Sequence, residues 1–509
     1  MQFVNNLNNL TVDDQYFMEV PVQQGPSNVP TGNIGLVGTF SRGPLNTPTL
    51  VTSYPDLVKK FGEVDQNFSL TGPITARGIF KQGNTNVYVV RISSSTNPAT
   101  YAKVYLYDSN NNLVMILQAA TPGSWGDALT ATVSNGTKPG TFKISLQYGS
   151  ESETWDNLVI AQPATPIAGA VLVSTIFGPN GQSQLATATF PSTPNINAPA
   201  NGTYAFTGGT DGADASPADY IGSNMNGVKT GLYALDNAPV NLVLCAEQSD
   251  PSVNQALAQN AQSITQNGGL PRDAVITFPK GTPVANLASL MSQFDTDRVF
   301  PCYLWQQIYD PVTNSNQVVS PLGFFAGLLA QLSPHLSPGN KPIFGTLGVD
   351  PNMNIGPSDL ATMAQARVNA VGVPTPAGPL GVRGGFTASQ TAGDPQQIYV
   401  RRMKDYIDQL VYTIGGQFVD QPITPDLMRQ VYQSVDNILY PMKNPASPSD
   451  QMIADYKITC DNTNNPPSST GQNRLICDYA VKLLNMNRFM IFRTQIGAGV
   501  VITSTHQGQ

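Results

Sequence analysis

Continuous apolar runs of strand length recur along this chain, separated by segments with helical spacing. GNIGLVGTF (32–40) and TNVYVVRI (85–92) frame two short helices, YPDLVKKFG (54–62) and GPITARGIFKQG (72–83). The alternation returns after about residue 213. PADYIGS and GVKTGLYAL read as helical, VNLVLCAE (240–247) as a strand and PSVNQALAQNAQSITQN (251–267) as a helix. DAVITFP (273–279), VANLASLMSQF (284–294) and RVFPCYLWQQIYD (298–310) follow as strand, helix and strand, and PLGFFAGLLAQL (321–332) as a buried helix. Strands buried on both faces read as unbroken apolar runs, so this alternation predicts a mostly parallel sheet covered by helices.

Between 99 and 212 the period changes to that of hairpins. YAKVYLYDSNNNLVMILQA turns at DSNNN, and DALTATVSNGTKPGTFKISLQYG turns at NGTKPG. GAVLVSTIF (169–177) and SQLATATF (183–190) add strands, giving an inserted all-β domain. Beyond 370 come helices at 398–418 and 424–443, strands DYKITCD and RLICDYAVKLL, and a last run, NRFMIFRTQIGAGVVITSTHQGQ. The expected organisation is an extended arm over 1–22, an α/β domain from 23–98 with 213–370, the β insert at 99–212, a further domain at 371–485, and a terminal strand or arm at 486–509. The fold class is thus α/β and α+β multidomain.

Gly32, Gly35 and Gly38 raise the question of a phosphate loop. A dinucleotide loop needs G-x-G-x-x-G directly before a helix, whose N-terminus holds the pyrophosphate. Here the spacing is G-x-x-G-x-x-G, and TFSRGPLNTPTLV follows with no helical period. These glycines read as close-approach positions in a strand, followed by the turn SRGP.

Composition narrows the chemistry further. Of 509 residues only 12% are charged while 40% are hydrophobic, the balance being Asn, Gln, Ser, Thr, 45 Gly and 41 Pro. A surface of uncharged polar groups suits a protein packed against others better than a freely diffusing enzyme. The net charge of −7 comes without a Lys/Arg run, so there is no footprint for nucleic acid. The N-terminal stretch does not read as a signal peptide, and no apolar run reaches the ~20 residues of a membrane helix. Cys245, Cys302, Cys460 and Cys477 lack C-x-x-C spacing and read as buried small residues in a chain made in a reducing cytoplasm. Only His335 and His506 are available for triads or zinc, and neither sits in a recognisable motif. Catalytic, cofactor-binding and metal-ligating residues are therefore expected to be none.

Seven blocks, in order, resemble the tail sheath proteins of contractile-tailed bacteriophages. They are GLVGTFSRGPLNTPTLVTSYPDLVKKFG (35–62), FKQGNTNVYVVRI (80–92), TPGSWGDALT (121–130), FTGGTDGADASPADYIGS (206–223), YLWQQIYDPVTNSNQVVSPLGFFAGLLAQ (303–331), YVRRMKDYI (399–407) and DNTNNPPSSTGQNRLICDYAV (461–481). The third carries Pro122, Gly123, Trp125 and Gly126 of the family's Pro-Gly-x-Trp-Gly-Asn motif, with Asp127 in place of Asn. Between about 333 and 395 the chain departs from the family pattern; GVRGGFTAS (381–389) stands where many members carry a tryptophan.

The resemblance implies a non-enzymatic subunit that forms six-fold rings stacked in a helical sleeve around a tail tube. Its partners would be copies of itself, the tube protein, and baseplate and tail terminator proteins, with no nucleic acid, membrane or cofactor. It would be located in the virion tail, after assembly in the host cytoplasm. Terminal arms would add strands to neighbouring subunits, with Phe3, Val4, Leu10, Phe489, Met490, Ile491, Phe492, Val500, Val501 and Ile502 as contact residues and Gly497 and Gly499 as hinges. Arg401, Arg402 and Lys404 in VRRMK are the candidates to face the tube, and the β insert is expected to face outward. A sheath from a phage-derived bacteriocin or a secretion-type injection system would look similar. A nucleotide-binding enzyme predicts a glycine loop before a helix, and a β-rich adhesin predicts an export signal.

Overall fold

Ile34–Thr39 (β1) is buried along nearly its whole length, as its apolar run requires, and it organises the larger part of the chain. The computed structural model describes residues 29–161, 166–192, 196–491 and 494, with the backbone of residues 2–3 and 16–17. It comprises two units, Asn28–Leu410 and Met1–Ser27 with Val411–Gln509.

In the first unit β1 joins β2 (Thr49–Val51), β3 (Val87–Ile92), β4 (Leu242–Cys245), β5 (Asp273–Ile276), β6 (Val299–Tyr303), β7 (Asn369–Pro374) and β8 (Leu380–Arg383). The sheet order is β8-β7-β6-β5-β4-β1-β3-β2. The inner strands are all parallel, and the edge strands β2 and β8 run antiparallel to their neighbours. From β1 the chain goes to β3 on one side and then to β4 on the other, so its winding reverses beside β1.

Alternate side chains feed two cores. Ile34, Leu36, Val89 and Leu244 meet α1 (Tyr54–Phe61), α2 (Thr71–Gln82) and α4 (Leu322–Gln331). Val37, Val90, Val243 and Cys245 meet α3 (Pro251–Gln266) and the shorter helices Leu287–Met291 and Pro357–Gln365. Each such side chain contributes about 1.5–3 kcal/mol of burial. The helices begin where the sequence caps them: Ser53 accepts from the Asp56 amide, and Asp250 from the Ser252 amide with Pro251 next. α2 and α4 cross closely because a Cβ on Gly323 would lie 2.2 Å from the Thr75 carbonyl oxygen.

The insert folds as two sheets. Lys103–Tyr107, Leu113–Ala119 and Ala186–Thr189 form one; Thr130–Asn135, Phe142–Tyr148, Glu151–Val159, Val171–Leu172 and Gly202–Ala205 form the other. They enclose a core that includes Leu106, Leu117, Ile144, Leu146, Phe177 and Phe206.

Several elements differ from the sequence expectation. GAVLVSTIF is a strand only at Val171–Leu172 and then a helix, Val173–Phe177. Val173, Ile176 and Phe177 all enter the insert core, and their i, i+3, i+4 spacing is helical. The run 298–310 is not one strand. Leu304 turns the chain at φ +79°, and Gln306–Asp310 leaves the main sheet to pair with Ser315–Val319. The buried Gln306 amide holds this corner by donating to the carbonyls of Leu304 and Val371, 2.8 Å each. Residues 217–235 form a helix (Pro217–Ile221), a small hairpin and a 3-10 turn (Gly231–Leu235) rather than continuous helix. The division expected at 370/371 falls inside β7, and the sheet continues to Arg383.

In the second unit α6 (Pro425–Lys443) starts at Thr424, whose hydroxyl accepts from the Leu427 amide. It packs on an antiparallel hairpin, Ile453–Thr459 with Asp478–Leu483, pinned by the Tyr456 hydroxyl donating to Asp436 at 2.5 Å. Gln2–Phe3 and Tyr16–Phe17 pair in parallel. α5 (Ile398–Gly415) lies between α4 and α6 in the chain.

Candidate functional site

Doubly wound sheets bind ligands where the winding reverses, beyond the C-terminal ends of the strands. Here that position, between β1 and β4, is packed solid. A Cβ on Gly38 would sit 2.9 Å from the Ala246 Cβ and 3.0 Å from the Gly72 Cα, which accounts for glycine there. Thr39 and Thr71 hydroxyls lie 3.1 Å apart, and Thr71 and Tyr220 hydroxyls 2.8 Å apart. Beside them the buried Glu247 carboxyl accepts from the Thr75 hydroxyl (2.8 Å), the Ser320 amide (2.7 Å) and the Ser320 hydroxyl (2.9 Å). Burial pushes its pKa up. Among the described residues no cluster of His, Cys, Asp and Glu is arranged to hold a metal, and no helix is long and apolar enough to cross a membrane.

The motif residues converge at the base of the insert. Arg91, on β3, is almost fully buried. Its guanidinium donates to the carbonyls of Pro122 (2.7 Å), Gly43 (2.9 Å) and Ser41 (3.2 Å). Burial without a carboxylate on the guanidinium lowers its pKa to about 10. Gly123 has φ +135°, and a Cβ there would strike the Ser41 carbonyl oxygen at 2.4 Å. Trp125 is buried with its indole N–H on the Thr121 carbonyl. The Arg42 guanidinium stacks 5.8 Å from the Trp125 ring and 5.1 Å from Tyr148, and pairs with Glu151 at 2.8 Å. A Cβ on Gly126 would lie 2.6 Å from the Ala102 Cβ. Asp127 accepts from the Gly209 amide at 2.8 Å, and Asp211 from the Ser124 amide at 3.0 Å. The segments SRGP, VVRI, PGSWGD and GGTDG, far apart in sequence, thus form one joint between the α/β sheet and the insert.

VRRMK corrects the sequence expectation. Arg401 and Arg402 are 6% and 5% exposed and do not present a basic face to any partner. Arg401 pairs with Asp297 at 2.9 Å and Asp405 at 2.5 Å. Asp405 also takes a two-pronged contact from Arg298, 3.0 Å on each oxygen. Arg402 donates to the Leu332 carbonyl at 3.0 Å, and burial lowers its pKa to about 10. Asp273, beside this network, has its pKa raised by burial and by Asp405. The reason for the misreading is spacing: Arg401 and Asp405 stand one turn apart, and the turn leading into β6 supplies Asp297 and Arg298. Lys404 alone of the three is exposed.

Of the arm candidates, Phe489, Met490 and Ile491 are 79%, 69% and 76% exposed. Phe492, Gly497, Gly499, Val500, Val501, Ile502, Val4 and Leu10 lie outside the described residues, as does the side chain of Phe3. The sequence did not single out Arg91, Arg42 or Asp211; a lone Arg inside the apolar run VYVVRI was the available signal.

Residues 31–92 match the family model of the tail sheath protein Gp18 domain III N-terminal region. The tail sheath protein of Burkholderia phage BcepMu is 23% identical over 499 residues, spanning 92% of this chain and 93% of that protein. The crystal structure of the sheath tail protein Lin1278 from Listeria innocua superposes with a TM-score of 0.61 at 13% identity, over 86% of this chain and 91% of that one. The helical sheath of the anti-feeding prophage in its contracted state gives 0.54 at 13% identity, over 97% and 99%. Along nearly its whole length this chain is similar in sequence to a phage tail sheath protein, and it shares the fold of the sheath tail protein from Listeria innocua.

Proposed function

We propose that this protein is the sheath subunit of a contractile phage tail. It polymerises as six-fold rings stacked in a helical sleeve around the tail tube, and it contracts to drive the tube through the bacterial envelope. The observation that carries this reading is similarity to a phage tail sheath protein along nearly the whole of both chains. The role is mechanical and not enzymatic, in keeping with the filled crevice beside β1. Assembly takes place in the host cytoplasm, on a tube between baseplate and terminator, and the product is part of the virion tail. The terminal segments 1–22 and 486–509 serve as arms, the insert faces outward, and Lys404 remains a candidate to face the tube.

The exposed run Phe489–Ile491 suits strand addition to a neighbour, where each buried Phe or Ile side chain contributes about 1.5–3 kcal/mol. Ordering each arm residue costs about 1–2 kcal/mol, so a single joint holds weakly and a sleeve holds by repetition. A sheath of an injection system is the second reading, favoured by the fold likeness to the PVC sheath complex of an extracellular contractile injection system in its contracted state. Negative-stain electron microscopy of the full chain, beside a chain lacking 486–509, tests the proposal. Cross-striated hollow sleeves from the full chain only are expected. Monomers from both, even with tubes supplied, overturn it. DNA-filled capsids on the native particles separate the phage reading from the injection-system one.

A further inference from the structure

We infer that Cys460 and Cys477 are a covalent modification site, at which an intrachain disulfide forms and closes the loop 461–476. All four cysteines are free thiols in this structure. The hairpin register pairs Ile458 with Tyr479 and Thr459 with Asp478, so Cys460 and Cys477 are the next cross-strand positions. Antiparallel partners have Cα atoms about 4.5–5.5 Å apart, within the span a disulfide bridges. Each thiol lies near enough to the other to perturb its titration, and together with burial this raises the Cys477 pKa.

The backbone on both sides is fixed independently of the sulfurs. Asn464 Nδ2 donates to the Thr459 carbonyl at 2.7 Å and to Asp478 at 2.9 Å. Asn465 clasps Ile476 from both sides, donating to its carbonyl at 2.8 Å and accepting from its amide at 2.6 Å. Bond formation therefore needs side-chain rotation and no rearrangement of the chain. Cys245 and Cys302 lie in the separate cores on opposite faces of the main sheet and offer each other no such approach.

A cavity of about 250 Å³, lined by Met428, Tyr432, Ile458 and Cys460 among others, opens beside Cys460 and offers an approach to its sulfur. With a low-molecular-weight disulfide such as oxidised glutathione the chemistry balances. One cysteine thiolate attacks the glutathione disulfide and releases one glutathione thiol. The second cysteine thiolate attacks the mixed disulfide and releases the other. The protein loses two electrons and two protons, and one glutathione disulfide becomes two thiols. Burial and the neighbouring thiol push the Cys477 pKa up to about 12, so little thiolate exists at neutral pH and exchange is slow. A chain kept reduced during synthesis would gain this staple only after prolonged exposure to an oxidising medium.

The test uses the full chain in glutathione buffers of graded redox poise at pH 8.5, with acid quenching, alkylation without reduction, trypsin and mass spectrometry. Cleavage after Lys457, Arg474 and Lys482 places the two cysteines on separate peptides. The expected product is 458–474 joined to 475–482, separated by reductant. Half-oxidation is expected at a poise at least about tenfold more reducing than for the same pair in the urea-unfolded chain. Cys460→Ser and Cys477→Ser, checked for folding by thermal melting, should each yield no linked pair. Glutathione adducts without the internal bond, or the same poise folded and unfolded, overturn the inference.

Discussion

The Arg91 guanidinium donates to the Pro122 carbonyl at 2.7 Å, joining β3, the third strand of the main sheet in chain order, to the first turn of the motif that opens the insert's core. The same group holds the carbonyls of Gly43 and Ser41. One side chain thus ties the α/β sheet, the SRGP turn and the insert into a single joint, and it does so as a hydrogen-bond hub with no carboxylate on its guanidinium.

Arg91→Ala should therefore cost about 2–4 kcal/mol, because buried carbonyls lose their donor. Arg91→Lys should recover only part, since an ammonium on a flexible stem cannot reproduce the planar fork. Urea unfolding followed by Trp fluorescence reads both, with Trp125 packed at the joint. A loss under about 1 kcal/mol for the alanine variant would show that water replaces the guanidinium without penalty.

The strands around this joint were legible because two-sided burial leaves an unbroken apolar run, as in GNIGLVGTF and VNLVLCAE. The close-approach role of Gly38 was legible too, since no helix follows it. What sequence did not disclose were decisions made by tertiary partners. Leu304 adopts φ +79° because the Gln306 amide reaches Val371, a residue far along the chain. Arg401 and Arg402 look like surface charge until Asp297 and Arg298 arrive from the turn leading into β6. The exposed positions Phe489–Ile491 drew notice as an apolar run in a place where the fold was already complete.

Asp405 carries the second test. It accepts from Arg298 and Arg401 in a largely buried setting. Asp405→Asn leaves those guanidinium groups under-compensated, and removing one member of a buried ion network typically costs about 3–5 kcal/mol. Arg401→Glu should unfold the chain for the same reason. Lys404→Glu should leave the unfolding midpoint unchanged, so it is the variant with which to probe the tube. Weakened sleeve formation on tubes by Lys404→Glu supports a tube-facing role, and normal sleeves remove it.

Glu247 makes a pH prediction. Burial raises its pKa above the ordinary glutamate value of about 4.3. An acid whose folded pKa exceeds its unfolded one lowers stability fully above the folded pKa, and that cost fades as pH falls through the folded value toward the unfolded one. Glu247→Gln can still accept from the Ser320 amide and donate to the Thr75 or Ser320 hydroxyl. It should be more stable than the parent at pH 8, with the gap closing as the pH falls toward 5. Chemical denaturation at a series of pH values gives the answer. A constant gap, or a less stable variant at pH 8, would mean that the three donors compensate the carboxylate in full.

Phe489, Met490 and Ile491 separate folding from assembly. With most of each side chain in solvent, Phe489→Lys and Ile491→Lys remove no packing from the isolated chain, and its melting temperature should not move. In a sleeve the same positions would sit against a neighbour's sheet, where a charged group without a partner is penalised by desolvation. The double variant should therefore stay monomeric at concentrations where the parent polymerises. Light scattering during assembly, followed by microscopy of the products, distinguishes the cases. Parent-like sleeves from the double variant would mean that this segment remains in solvent after assembly, and the intersubunit strand would have to be sought elsewhere in the chain.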